Sequence, residues 1–157
     1  MSQAFSFQIK GLDTLIRDAE KVGGQLPSLL YQTMAKVTTI AKNKAREIRP
    51  GSFKNRTGTL RRSIDRDVQS AARGVVYANE KYGEFVEFGT SPHVIVPKSK
   101  KMLAFKVNGQ MVFARRVNHP GSKPYPFMEP AFRETIPMAI DEYANVGEII
   151  VKSRAGV

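Results

Sequence analysis

Apolar residues recur with two periods along this chain, and the period changes where glycine and proline fall. Phe5, Phe7 and Ile9 alternate with Ser6, Gln8 and Lys10, which predicts a half-buried strand ended by Gly11. Residues 12–22 take helical spacing instead. Leu12, Leu15, Ile16 and Ala19 share one face, Asp13, Arg17, Asp18 and Lys21 lie off it, and Gly23-Gly24 stops the run. A longer stripe follows. Leu26, Leu29, Leu30, Met34, Val37, Ile40, Ala41, Ala45 and Ile48 predict a helix of about six turns, closed by Pro50-Gly51. Lys42, Lys44, Arg46 and Arg49 occupy its last turns, where the helix dipole is negative.

The second half reads as short strands and one more helix. Residues 60–68 and 74–78 have strand character, although residues 60–64 fit a helical turn equally well. Tyr82, Phe85, Val86 and Phe88 crowd an aromatic patch up to Gly89. Residues 94–96, 103–107 and 111–117 read as strands. Asn108-Gly109 between the last two is a strong hairpin signal, because both residues tolerate positive φ. Residues 119–130 hold four prolines and no regular pattern. A final helix starts near Glu129-Pro130, with Ala131, Phe132, Ile136, Ala139, Ile140, Tyr143 and Ile150 apolar; Pro137 should kink or divide it. The expected class is α+β. A central antiparallel sheet packs against a long helix of the N-terminal half and a Pro-kinked C-terminal helix. The 157 residues fit a single domain, 1–157, with a basic, partly mobile hairpin or loop arm at about 91–123.

Charge adds a partner to this picture. Lys and Arg number 25 against 14 Asp and Glu, a net charge of +11. Residues 36–66 hold ten cations and two acids, and residues 91–123 hold seven cations and no acid, so two blocks carry the whole excess. Such blocks are either solvated faces or contacts for a polyanion, whether nucleic acid or an acidic protein surface. The candidates for that contact are Arg46, Arg49, Lys54, Arg56, Arg61 and Arg62 in the first block and Lys98, Lys100 and Lys101 in the second. Around the first block there is one aromatic, no second at stacking spacing, and no helix-turn-helix pattern. Any nucleic acid would be held without regard to base sequence.

Catalytic chemistry finds little purchase. Without cysteine there are no disulfides, thiolate zinc sites or cysteine nucleophiles. His93 and His119 are separated by the predicted hairpin, with no carboxylate in residues 91–123, so neither a metal site nor a cofactor is expected. Glu80, Glu84 and Glu87 lie close together, but no phosphate loop, nucleophile elbow or metalloprotease helix accompanies them. The chain is not expected to be an enzyme. No apolar run approaches a membrane span, and the first ten residues lack the basic start and apolar stretch of a leader.

Several short motifs stand in a suggestive order. Thr57-Gly58-Thr59-Leu60-Arg61-Arg62-Ser63-Ile64 comes first, then Glu87-Phe88-Gly89-Thr90-Ser91. The hairpin with Leu103-Ala104-Phe105 and Val112-Phe113-Ala114-Arg115 is third. His119-Pro120-Gly121-Ser122-Lys123-Pro124-Tyr125-Pro126-Phe127-Met128-Glu129-Pro130-Ala131-Phe132 is last. Over about residues 10–145 this order resembles the small neck, or tail-component, proteins of long-tailed double-stranded-DNA bacteriophages and prophages. The resemblance implies a virion structural protein of the head–tail junction, a neck or tail-completion component without enzymatic activity. It implies a homo-oligomeric ring around the DNA path, a hexamer ahead of a dodecamer, that joins tail to head connector. Its implied partners are the head connector, the tail-terminator or tail-tube proteins and packaged double-stranded DNA. Its implied place is the virion, and the host cytoplasm during assembly.

A stiff proline segment ending in an aromatic anchor, beside an aromatic patch, suits the head-to-tail contact of such a ring. Its expected residues are Tyr82, Phe85, Glu87, Phe88, Gly89, Thr90, His119, Pro120, Gly121, Pro126 and Phe127. The alternative reading, from charge alone, is a basic protein that binds nucleic acid without sequence preference.

Overall fold

The apolar stripes become three helices packed together, one of them laid on a small sheet. The computed structural model describes residues 4–8, 12–48 and 58–155. Strand β1 (Ala4–Gln8) lies where a strand is predicted, and α1 (Leu12–Val22) and α2 (Leu26–Glu47) follow their stripes nearly to the residue. Then come α3 (Thr59–Ser63), β2 (Ile64–Ser70), β3 (Arg73–Ala78) and α4 (Gly83–Phe88). The chain closes with β4 (His93–Ile95), β5 (Leu103–Val107), β6 (Gln110–Ala114), β7 (Val117–His119) and α5 (Met128–Ala155). The architecture is α+β.

Strands β1, β3 and β2 form one antiparallel sheet in that order, with a bulge between Val68 and Ser70. Helix α2 packs on β2 and β3 and also against α5, while α1 packs on both long helices. Leu30, Met34, Val37 and Ala41 of α2 are wholly buried, and Ile64, Val76, Ala131, Ala139, Val146 and Ile150 close around them. Each large side chain in this seam contributes on the order of 1.5–3 kcal/mol by leaving water. The buried threonines are satisfied within their own helices: Thr38 donates to the Met34 carbonyl at 2.8 Å and Thr135 to that of Ala131 at 2.7 Å. Tyr143 of α5 donates from its hydroxyl to the Ala71 carbonyl at 2.7 Å, which ties the helix to the β2–β3 turn. Burial pushes its phenol well above the ordinary range near 10.

One open reading is decided and two expectations are corrected. Of the two readings of residues 60–64 the helical turn holds, because α3 takes residues up to Ser63 and the strand begins at Ile64. Residues 111–117 are not one strand. Pairing with β5 ends at Ala114, and Val117 onward pairs with β4 instead, so Arg115 and Arg116 fall between two ladders. Pro137 does not divide the last helix, which runs unbroken from Met128 to Ala155. Its ring lies on the exposed face, where the carbonyl it leaves unpaired can take water.

Beyond the sheet, residues 90–122 form a nested hairpin. Thr90 and Ser122 bridge at its root, His93 to Ile95 pair with Val117 to His119 above, and β5–β6 make the far end. The turn is Asn108-Gly109, with φ of 51° and 85°, as its sequence predicts.

Candidate assembly interface

Helix α4 is built inside out. Its sequence, Gly83-Glu84-Phe85-Val86-Glu87-Phe88, offers two phenylalanines for burial, yet the buried side holds Gly83, Val86 and Glu87. Phe85 and Phe88 are each 56% exposed, and Tyr82 just before them is exposed too. Three neighbouring aromatics thus stand in water on a well-packed body, which makes this face the candidate interface.

The inward carboxylate has a structural task. Glu87, only 2% exposed, receives the backbone N–H of Phe127 at 2.8 Å and of Met128 at 2.9 Å on Oε2, and that of Glu129 at 3.0 Å on Oε1. These are donors at the N-terminus of α5, which no residue of the helix itself can satisfy. An anion there also faces the positive end of the helix dipole. Glu87 therefore caps α5 across 40 residues of sequence and is not a surface group.

The two glycine motifs meet in the same place. Tyr125 donates its N–H to the Val86 carbonyl at 2.7 Å. Thr90 and Ser122 exchange backbone hydrogen bonds of 3.0 and 3.1 Å, with their hydroxyls 3.0 Å apart. Gly89 has φ of 72°, and a Cβ there would lie 2.3 Å from the Ser122 carbonyl; Gly121 has φ of 87°, and a Cβ would lie 2.2 Å from that of Thr90. Only glycine fits either side of this crossing. Pro120, Pro124 and Pro126 hold the return strand straight toward Phe127, which enters the core.

The expected contact residues thus divide. Glu87, Gly89, Thr90, Gly121 and Phe127 lock the root of the hairpin to the body, whereas Tyr82, Phe85 and Phe88 remain outside, with Pro120 and Pro126 exposed beside the root. His119 accepts the Gly121 N–H on Nδ1 at 3.1 Å, a turn contact. Its ring stacks on His93 with centroids 5.0 Å apart, since the hairpin ladder brings together what the sequence separates. Among the described residues no three side chains of metal-ligating type converge.

The cations divide as well. Arg46 is turned inward and donates to the Ile64 carbonyl at 2.6 Å from Nη2 and 3.2 Å from Nε. Lys36 and Lys44 pair with Glu142 and Glu134 of α5 at 2.6 and 2.8 Å. Lys42 lies 3.6 Å from Asp65, whose carboxyl is held below its ordinary range first by the Arg66 backbone N–H and then by Lys42. Much of the first block therefore straps α2 to its neighbours. Arg61 and Arg62 are exposed, and Arg49, Lys54 and Arg56 lie outside the described residues. Lys98, Lys100 and Lys101 are exposed in the hairpin, where among the described residues no cation from Lys98 to Lys123 has an ion-pair partner.

The sequence singled out the aromatics and glycines but not the role of Glu87. Helical spacing puts Glu87 on the same side as Gly83 and Glu84, and nothing local distinguishes it from Glu84, because the donors it meets lie 40 residues downstream.

Residues 13–89, from α1 to the end of the α4 motif, match the family described as "Bacteriophage HK97-gp10, putative tail-component". No curated protein and no solved structure matches the chain. The resemblance drawn from the short motifs and this match agree on a phage tail-component family.

Proposed function

We propose that a chain whose residues 13–89 carry the HK97-gp10-like tail-component signature is a structural subunit of a phage virion, placed at the head–tail junction as a neck or tail-completion ring. The match carries the tail role. The ring and the junction rest on the inverted helix α4, which leaves Phe85 and Phe88 in water on a body with a full core. The work of such a subunit is mechanical: it joins tail to head connector and surrounds the DNA path. Its partners are other virion proteins and further copies of itself.

The test has two parts. Purified protein, alone or with tail tubes, should form closed rings in electron micrographs, with six copies by native mass. Phage carrying a null allele should accumulate filled heads and finished tails that do not join. Joined, infectious particles from the null would overturn the placement. A second reading, nonspecific duplex binding, is favoured by the unpaired cations of the hairpin. It requires an affinity for random DNA that falls with a log–log salt slope near −0.9 per phosphate neutralised.

A further inference from the structure

The hairpin is unusual in being apolar on both faces. Cross-strand register puts Leu103, Phe105, Val107 and Val112 on one side, and Ala104, Met111 and Phe113 on the other. Phe113 is 61% exposed, and Met102, Val107, Met111 and Val112 are exposed with it. Neither β5 nor β6 has another strand or helix as a substantial neighbour, and each keeps one unpaired edge. A lone two-stranded ribbon of this kind is marginal in water. It calls for a partner.

Duplex DNA is a poor occupant, because a phosphate backbone gives nothing to Phe113, Met111 or Val112. A second hairpin is poor for another reason: residues 91–123 carry seven cations and no acid, so two such arms repel. The complementary surface is on α5. Beside its buried stripe the helix carries a second apolar stripe, Ile136, Ile140, Ala144 and Val151, all exposed and spaced by whole turns. Residues 128–155 hold five acids and three bases, and of the acids Asp141 and Glu148 border the stripe. Asp141 has no ion-pair partner among the described residues, and Glu148 only approaches Lys152 at 4.0 Å. The sizes agree: a five-residue ribbon spans roughly 17 Å, and a stripe over 15 residues of helix roughly 22 Å.

We propose that the β5–β6 hairpin of one copy lies on the outer, acidic face of α5 of the next copy. The inference deepens the ring reading and rests on it. Because the two patches differ, the contact is head-to-tail, and repetition closes a ring when the rotation permits. Phe113 and Ile140 sit at its centre, with Lys100, Lys101 and Lys106 facing Asp141 and Glu148.

Two exposed substitutions test this, Phe113→Asp in the arm and Ile140→Asp on the helix, both checked for unchanged melting. Each alone should weaken self-association at least thirty-fold by analytical ultracentrifugation, the scale of a central interface residue. Mixed together they should give dimers that grow no further, because the good arm of one variant meets the good helix of the other once only. Rings that survive both variants overturn this contact and leave the ring reading standing. Wild-type protein that stays monomeric, even with tail tubes, overturns the ring itself. Intact rings from Phe113→Asp that no longer retain DNA would assign the arm to DNA and overturn the proposal.

Discussion

The body and the hairpin both mix apolar and cationic side chains and obey opposite rules. In the body, the main stripes of α1, α2 and α5 cover one another and the sheet, and Lys36, Lys42 and Lys44 of α2 find carboxylates on α5 or β2. In the hairpin, apolar side chains alternate to both faces, and among the described residues its cations have no ion-pair partner. Buried apolar area therefore resides in the body, and exposed apolar area resides in the hairpin, α4 and the outward side of α5, where the proposed contacts lie. The difference teaches where substitutions should be felt, and by which assay.

The sharpest contrast is between two phenylalanines. Phe127→Ala empties a buried site and should cost about 3–5 kcal/mol, read as a lower denaturant midpoint with an unchanged slope. Phe88→Ala removes an exposed ring and should stay within about 0.5 kcal/mol while impairing ring or virion assembly. Equal losses of stability would erase the division. Next in size is the join between the regions. Glu87→Ala leaves three backbone donors at the start of α5 without acceptors and should cost roughly 3 kcal/mol. Amide exchange should quicken at Phe127, Met128 and Glu129, and spread into the root of the hairpin at Thr90 and Ser122. Exchange confined to α5 would show that body and hairpin are not joined there.

The smallest effect belongs to the body alone. The phenol of Tyr143 ionises less readily in the folded chain than in the unfolded one, so its contribution is complete below pH 10 and fades as the pH rises further. Tyr143→Phe should lose about 1 kcal/mol at neutral pH, for one hydrogen bond, and fall less steeply between pH 10 and 11.5. Thermal midpoints across that range measure both. Parallel curves for the two proteins would remove Tyr143 as the alkaline weak point.

Local pattern explains why some of this was legible in the chain. The stripes of α1 and α2 and the Asn108-Gly109 turn are set by neighbours within a few residues, and spacing alone predicts them. Residues 60–64 were ambiguous because a single turn of helix and the end of a strand share composition. The split of residues 111–117 was hidden for a different reason. Only the partner strands decide that Ala114 ends one ladder and Val117 begins another. The candidate interface was half visible. Aromatic crowding at Tyr82, Phe85 and Phe88 marked a segment whose rings prove exposed, but which side of α4 faces in depends on donors at Phe127, Met128 and Glu129. Those lie 40 to 42 residues downstream.

That separation makes the start of α5 a shared anchor. Glu87 of α4 holds the first turn of α5, and Tyr125 just before that helix holds α4 at the Val86 carbonyl. The hairpin springs from the two short stretches between these contacts, and its root is closed by Thr90, Ser122 and the two crossing glycines. The direction in which the arm leaves the body is therefore set by contacts at its base rather than by the arm itself.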